Sequence, residues 1–133
     1  MVARHLETGL NGEKIAKEYL IARGYKILET NFRSKYGEID IICELDKEII
    51  FVEVRVRNKK SQVNPIETIN KNKFKKLYKT ASIYLSQNKF WQRPCRFDFI
   101  GILVEKNKWR IKHVQNVWQG ETFYCSNSSW QPW

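Results

Sequence analysis

Apolar and charged residues alternate strictly over residues 52–57, in the stretch FVEVRVR that begins at Phe51. Alternation with a period of two is typical of a β-strand, because successive side chains of a strand point to opposite faces of the sheet. The three valines at 52, 54 and 56 are therefore predicted to point into the core. The other face carries one aromatic and three charged residues: Phe51, Glu53, Arg55 and Arg57. Whether Glu53 and Arg55 are merely solvated or belong to a site is the question this strand raises.

The same patterns along the rest of the chain predict two helices and five strands. Apolar residues at helical spacing predict a first helix from about Leu6 to Arg23, ended by Gly24, and a second over residues 66–88, opened by Pro65. The strands are predicted at 25–33, 37–45, 48–57, 96–104 and 109–118. The order α-β-β-β-α-β-β indicates a single α/β domain, residues 1–118, with a central mixed sheet flanked by helices. The aromatic tail, residues 119–133, has no predicted structure.

The second and third strands are separated by two residues, at 46–47, which predicts a tight antiparallel hairpin. A two-residue loop and a symmetric four-residue loop give the same register, because Leu45 pairs with Glu48 in both. Counting outward from that pair gives two further facing pairs: Asp40 opposite Glu53, and Glu38 opposite Arg55. Directly opposed side chains of a sheet have Cβ atoms about 4.5–5.5 Å apart.

Two carboxylates that face each other destabilise a sheet unless something neutralises them. A divalent cation such as Mg²⁺ is one candidate, because it is usually held by one or two carboxylates together with waters and substrate phosphates. The alternative is that Asp40 and Glu53 are solvated and screened by Arg55 and Arg57.

Two residues of the predicted helices lie where they could reach the same place. Glu13 borders the apolar face of the first helix, although an acidic residue near a helix start is also favourable in itself. Lys73 lies four residues after Ile69 and four before Leu77, within the apolar stripe of the second helix, unless it extends to solvent. Its neighbours form a basic face suited to phosphate contacts: Lys71, Lys75, Lys76 and Lys79.

The composition favours a polyanionic partner. The formal net charge is +10, from 24 Lys and Arg against 14 Asp and Glu, and nucleic acid is the commonest partner of such chains. No secretory signal and no membrane-spanning stretch is visible. The three cysteines, Cys43, Cys95 and Cys125, lack metal-binding spacing and indicate free thiols in the reducing cytoplasm.

The joint pattern of these stretches resembles a known family. It comprises Glu13 within GEKIAKEYL, NFR at 31–33, GEIDII with Asp40, FVEVRVR with Glu53, Lys73, and RFDFIGI from Arg96. Over about residues 8–118 the chain resembles the YraN-type uncharacterised proteins (uncharacterised protein family 0102), which belong to the PD-(D/E)XK restriction-endonuclease-like superfamily and are similar in fold to Holliday junction resolvases.

The resemblance implies a divalent-metal-dependent DNA endonuclease that hydrolyses phosphodiester bonds, with branched or single-stranded DNA as candidate substrates. Asp40 and Glu53 would bind Mg²⁺ or Mn²⁺, with Glu13 as a further ligand or water-orienting residue and the Val54 carbonyl as a backbone ligand. The cation would activate water and stabilise charge on the phosphate. The remaining implied roles fall to basic residues that hold the DNA backbone: Arg33, Arg57 and Lys73, with the lysines of the second helix. Arg96 and Asp98 are interpreted as structural.

The chain departs from the superfamily pattern at position 55, where Arg55 replaces the motif lysine. Lysine can lose a proton and activate water, whereas arginine remains charged. Three interpretations follow: Arg55 acts only through its charge, Lys73 supplies the missing amine, or the protein has lost catalysis and is a non-catalytic nucleic-acid-binding or assembly protein. A protein-interaction role of the aromatic tail and a homodimer are further alternatives.

Overall fold

The computed structural model describes residues 3–58, 71–106 and 108–117, with side chains described from residue 12 onward except at positions 58 and 71. The predicted order α-β-β-β-α-β-β is confirmed. The elements are α1 (Ala3–Ala22), β1 (Lys26–Ser34), β2 (Gly37–Leu45), β3 (Glu48–Asn58), α2 (Lys71–Gln87), β4 (Cys95–Glu105) and β5 (Lys108–Val114).

The five strands form one mixed sheet, as the sequence predicts, and their order in it is β1-β2-β3-β4-β5. Neighbouring strands are antiparallel except β3 and β4, which are parallel. Parallel neighbours need a crossover connection, and α2 lies in the connection between these two strands. The strand that carries Glu53 is therefore the central strand of the sheet.

The two helices cover opposite faces of this sheet. On the first face, α1 packs on the sheet in a buried cluster that includes Ala16, Leu20, Val52, Val54 and Ile100. On the second face, α2 packs in a cluster that includes Phe51, Leu77, Ala81, Leu85 and Phe97. The valines of β3 point inward as predicted. The opposite face of β3 is also covered, so Glu53 is only 7% exposed and is not a solvated surface residue.

The β2–β3 hairpin has the two-residue loop and the register that the sequence predicts. Leu45 pairs with Glu48, and Asp46 and Lys47 have φ angles of 49° and 71°. Positive φ at both central residues is the requirement of the turn type whose twist matches that of the flanking strands. The register of the strands that carry Asp40 and Glu53 is thereby fixed by the turn.

Element boundaries differ from the prediction mainly at two places. Helix α1 begins at Ala3, three residues before the predicted start, and Gly24 follows its end with a φ of 91°. Strand β5 ends at Val114 and not at 118, and Asn116 beyond it has a φ of 52°, which is not the extended conformation of a strand. The predicted start of the second helix over 66–70 and the aromatic tail lie outside the described residues.

Neither helix, within the described ranges, has the length and hydropathy needed to cross a membrane. Cys43 and Cys95 are buried free thiols, as the sequence predicts, and burial raises the pKa of Cys43 to about 12. Cys125 lies outside the described part of the chain.

Candidate active site

Asp40 lies where the β2–β3 ladder ends. The paired register runs from Leu45–Glu48 to Ile41–Val52 and stops there, so the predicted Asp40–Glu53 and Glu38–Arg55 pairs are not formed. The backbone N–H of Val54 instead donates to Asp40 Oδ2 at 2.8 Å. The Asp40 carboxylate thus takes the place of the main-chain carbonyl that would accept this bond in a regular ladder. Strands β2 and β3 are not paired at the two acids.

The side-chain alternation of β2 also breaks at Asp40. Ile39 lies in the α2-side cluster and Ile41 in the α1-side cluster, although residues two apart in a regular strand share a face. Because of this irregularity, the Asp40 carboxyl lies at the end of the β2–β3 ladder and remains close to Glu53. Burial raises the pKa of Glu53 and an interaction with the Asp40 carboxyl lowers it, so the two carboxyl groups lie close enough to interact.

Two cations converge on the buried carboxylate of Glu53. Arg55 Nη2 lies 2.5 Å and Lys73 Nζ lies 2.9 Å from the same oxygen, Glu53 Oε2. Arg55 comes from the same strand two residues on, whereas Lys73 reaches across from the first turns of α2. Of the two alternatives for Lys73, the structure has the one in which its amine reaches Glu53.

The electrostatics of the pair are dominated by burial. Burial, together with repulsion from Glu53 and Glu13, raises the pKa of Asp40 to about 7, against the lowering effect of the Val54 N–H bond and of Arg55. Burial also raises the pKa of Glu53, against the lowering effect of Arg55 and of the Asp40 hydrogen bond. The Asp40–Glu53 pair therefore binds a proton readily at neutral pH. A cation that displaces this proton would have two neighbouring carboxylates as ligands.

Glu13 lies at the edge of this pair and contacts a residue that sequence reasoning missed. Asn31 Nδ2 donates to Glu13 Oε2 at 3.3 Å. Asn31 has a φ of 53° and lies between the pairs Thr30–Ile41 and Phe32–Ile39, across from Asp40. A signal was present in the sequence, because asparagine is disfavoured within strands and enriched in the left-handed region.

The Val54 carbonyl and two of the predicted phosphate-binding arginines have other contacts in this structure. Arg55 Nη1 lies 3.5 Å from Val54 O, and Arg57 Nη1 donates to Val56 O at 2.9 Å. Arg33 is exposed and pairs with Glu38 at 2.9 Å. Glu38 thus pairs with β1 and not with Arg55.

The lysines on the outer face of α2 lie next to the site in sequence but do not enter it. Lys75 and Lys76 are exposed, on the same helix that places Lys73 against Glu53. Lys71 begins α2, and its side chain lies outside the described part. The structure therefore brings together Glu13, Asp40, Glu53, Arg55 and Lys73, with the other predicted basic residues around them.

Arg96 and Asp98 occupy a separate network, with the contacts expected of structural residues. Asp98 is 1% exposed. Its carboxylate accepts from Arg96 at 2.9 and 3.1 Å, from His113 Nε2 at 2.7 Å and from the Asn116 N–H at 2.9 Å. Arg96 continues to Glu48 Oε1 at 2.7 Å. This network ties β3, β4 and the end of β5 together.

The donor set of the acidic pair fits Mg²⁺ or Mn²⁺. Carboxylate and carbonyl oxygens are the ligands of hard divalent cations, and Mg²⁺ usually keeps several waters while binding one or two carboxylates. Within the residues that the structure describes, no group of three Asp, Glu, His or Cys side chains is arranged to hold a metal ion. Asp40 and Glu53 thus offer a two-carboxylate site, with Glu13 at its border.

Comparison with known proteins identifies the family. The model of the uncharacterised protein family UPF0102 matches residues 12–102, a range that includes every residue of the acidic site. A UPF0102 protein of Lawsonia intracellularis is 40% identical over 128 residues, covering 96% of this chain and 97% of that protein. One from Clostridioides difficile is 46% identical over 84% of this chain and 96% of its own length. One from Thermotoga maritima is 43% identical over 81% and 94%. The chain belongs to the uncharacterised protein family UPF0102.

Proposed function

We propose that this protein binds nucleic acid and is a divalent-metal-dependent endonuclease that hydrolyses phosphodiester bonds of DNA, with branched DNA as one candidate substrate. The observation that carries the proposal is the convergence of Arg55 and Lys73 on Glu53, close to Asp40. Two neighbouring acids whose pKa values are both raised by burial destabilise the fold when ionised, so their presence favours a function that needs them. A surrounding excess of positive charge would attract a phosphate to the acids.

Asp40 and Glu53 would hold the cation, with Glu13 or the Val54 carbonyl completing its surroundings. Bound there, a divalent cation supplies an activated water and stabilises charge on the scissile phosphate. The main-chain N–H of Val54 fixes one oxygen of Asp40, which orients the carboxylate before any ligand arrives. Such orientation lowers the reorganisation that binding requires.

Arg55 and Lys73 would divide the work of the lysine that the superfamily motif expects. Arg55 remains protonated, so it can orient a phosphate oxygen and stabilise negative charge in the transition state. Lys73 can both donate and, once deprotonated, accept a proton, and its Nζ lies 2.9 Å from Glu53. The geometry favours Lys73 as the amine of the site over Arg55.

A second candidate function rests on the ion pair of Glu53 with Arg55 at 2.5 Å. An arginine that neutralises a buried acid removes part of the need for a metal, so the same fold would serve as a non-catalytic nucleic-acid-binding or assembly protein. On that function, binding would be insensitive to Mg²⁺ and no cleavage would occur.

Labelled single-stranded, duplex, flap and four-way-junction DNA incubated with Mg²⁺ or Mn²⁺ would separate the two functions. The nuclease predicts metal-dependent cleavage that is lost in Asp40→Asn while DNA binding is equal or tighter, because a negative charge facing the phosphate is removed. Glu18→Gln, which changes an exposed acid of α1, is the matched control and should cleave normally. Salt-sensitive binding without cleavage on any substrate would reject the nuclease and favour the binding protein.

A further inference from the structure

The turn between β1 and β2 is fastened to α2 by a directed chain of hydrogen bonds. The Tyr36 N–H donates to Ser34 Oγ at 3.0 Å, Ser34 Oγ lies 2.8 Å from Thr80 Oγ1, and Thr80 Oγ1 donates to the Lys76 carbonyl at 3.0 Å. Since the Thr80 hydroxyl donates to the helix, Ser34 must donate to Thr80. The turn and the helix therefore form one continuous surface.

Two lysines from these two elements converge on a single aromatic ring. Lys35 Nζ lies 5.2 Å and Lys79 Nζ lies 5.0 Å from the centroid of the Tyr36 ring, within the range of cation–π attraction. In the described parts of the chain neither lysine forms an ion pair. The ring thus contacts two like charges, and no carboxylate among the described residues forms an ion pair with either of them.

Helix α2 extends this surface back to the acidic site. Over its 17 residues, KNKFKKLYKTASIYLSQ, it carries five lysines and no acidic residue. Solvated helix faces usually mix both signs, so a face of one sign is better explained by a polyanionic partner. Lys79 follows Lys73 by six residues, which is about 9 Å along the helix axis.

We propose that Lys35, Tyr36, Lys76 and Lys79, here termed the lysine–tyrosine platform, bind the phosphate backbone of a nucleic-acid strand beside the acidic site. The spacing to Lys73 corresponds to about two to three nucleotides, taking about 3.4 Å per nucleotide along a duplex. The position assigned to the cleaved phosphate rests on the proposed function. The binding of the strand by the platform rests only on the nucleic-acid binding in that proposal, because it requires no metal and no reaction.

The test is the salt dependence of DNA binding in EDTA, measured by fluorescence anisotropy of a labelled duplex. The log–log slope of affinity against salt falls by about 0.9 for each phosphate that the protein no longer neutralises. The double variant Lys35→Ala/Lys79→Ala is expected to reduce the slope by nearly two and to weaken binding about tenfold or more near physiological salt. Tyr36→Leu should weaken binding by a smaller factor, because both lysines remain but lose their common position.

Lys17→Ala/Lys26→Ala is the matched control, with the same change in net charge. Both residues are exposed; Lys17 lies on α1, and Lys26 lies at the end of β1 remote from the turn. An equal reduction of the slope in the two double variants would overturn the platform and leave only a diffuse charge effect. Binding of anionic lipid vesicles in preference to DNA, with the same weakening in the platform variant, would overturn the nucleic-acid partner.

The outcome separates this proposal from the nuclease. Absence of cleavage by the unmodified protein, together with a reduced slope in the platform variant, would reject the nuclease and support the platform. Metal-dependent cleavage with an unchanged slope in Lys35→Ala/Lys79→Ala would support the nuclease and reject the platform.

Discussion

At the scale of single residues, the acidic site is a place where the protein gives up stability. Glu53 is buried and Asp40 is half-buried, and burial raises the pKa of each carboxyl. A carboxyl group whose pKa is raised in the folded state lowers the free energy of unfolding at pH values where it is ionised. The Val54 N–H and Arg55 reduce this cost but do not abolish it.

The first prediction concerns Asp40→Asn and the pH dependence of unfolding. The pKa of Asp40 is raised from 3.8 in the unfolded state to about 7 in the folded state. Its contribution to stability is therefore fully present below the unfolded-state pKa and is lost as the pH rises through the folded-state pKa. Asparagine keeps an acceptor for the Val54 N–H but cannot ionise. The variant should therefore gain about 1–3 kcal/mol over the unmodified protein at pH 8.5 and little at pH 4.5.

Urea unfolding at the two pH values measures this difference, with Glu18→Gln as the control for loss of one negative charge. An equal gain at both pH values would show that the effect is not ionisation of the buried pair. Mg²⁺ should stabilise the unmodified protein and not Asp40→Asn, because only a site that binds the cation in the folded state is stabilised by it.

The second prediction separates the roles of Arg55 and Lys73. If Lys73 supplies the amine, Lys73→Gln lowers the rate of cleavage at saturating DNA by about a hundredfold or more, a typical loss for a general acid or base. Arg55→Lys, which restores the motif residue and keeps a cation near Glu53, should retain or raise the rate. Single-turnover rates at several DNA concentrations give both the maximal rate and the apparent affinity.

A maximal rate preserved in Lys73→Gln but lost in Arg55→Lys would reverse the assignment. A loss confined to the apparent affinity would show that Lys73 only binds phosphate. Both outcomes are distinguishable from misfolding by the melting temperature of each variant.

The sequence predicted the members of this site better than their arrangement. Alternation along β3 and the hairpin register located Asp40 and Glu53, and the apolar stripe of the second helix placed Lys73 between core positions. The replacement of a ladder acceptor by Asp40, and the left-handed conformation of Asn31, depend on how three strands separate locally. The preference of asparagine for the left-handed region is a signal for Asn31, but no short-range pattern gives the position at which the strands separate.

At the scale of elements, the site depends on how closely α1 approaches β3. A Cβ atom on Gly12 would lie 2.2 Å from Cγ2 of Val56, far inside van der Waals contact. The residue after Gly12 is Glu13, which raises the pKa of Asp40 from the border of the site. Glycine at position 12 therefore sets the distance at which Glu13 meets the sheet.

The third prediction is that Gly12→Ala destabilises the protein although alanine favours helices. In an exposed helix the change would stabilise by up to about 1 kcal/mol. Here the β-branched Val56 cannot move aside, so we expect a net loss of about 1–3 kcal/mol. The double variant Gly12→Ala/Val56→Ala should recover part of that loss, which a double-mutant cycle of urea unfolding measures.

Lys17→Ala, at an exposed position of the same helix, should leave stability nearly unchanged and serves as the control. Additive effects of Gly12→Ala and Val56→Ala would contradict close packing between these two residues. Gly12→Ala and Lys17→Ala should also differ in their effect on function, because only Gly12→Ala moves Glu13 away from Asp40.

The elements themselves were largely predictable because their signals are local. The two-residue turn at 46–47, the helix-ending Gly24 and the alternation of β3 each act over a few residues. The burial of the Glu53 face was not predictable in this way. It arises because α2 crosses over the sheet to make β3 and β4 parallel neighbours, a consequence of the whole topology.

At the scale of the whole molecule, Asp40 and Asp98 have opposite electrostatic roles. Burial alone would raise the pKa of Asp98, but hydrogen bonds from His113, Arg96 and the Asn116 N–H outweigh it and leave the pKa lowered. The Asp98 network also includes the hydroxyl of Tyr25, which accepts from Arg96 at 3.0 Å. Asp98 therefore stabilises the fold by its charge, whereas the charge of Asp40 opposes folding.

The fourth prediction is that Asp98→Asn destabilises the protein by about 3–5 kcal/mol at neutral pH, because it leaves Arg96 without its buried partner. With a folded-state pKa below the unfolded one, the stabilisation by Asp98 is present above the unfolded value and is lost as pH falls through the folded value. The difference in free energy of unfolding between Asp98→Asn and the unmodified protein should thus become smaller below about pH 4.

Urea unfolding from pH 3 to 8.5 measures these differences. As pH rises, Asp40→Asn should become more stable relative to the unmodified protein, and Asp98→Asn should become less stable relative to it. A gap that stays constant for Asp98→Asn would mean that poorer packing, and not the charge, accounts for its effect. The opposite trends of the two variants are what distinguish an acid retained for function from one retained for the fold.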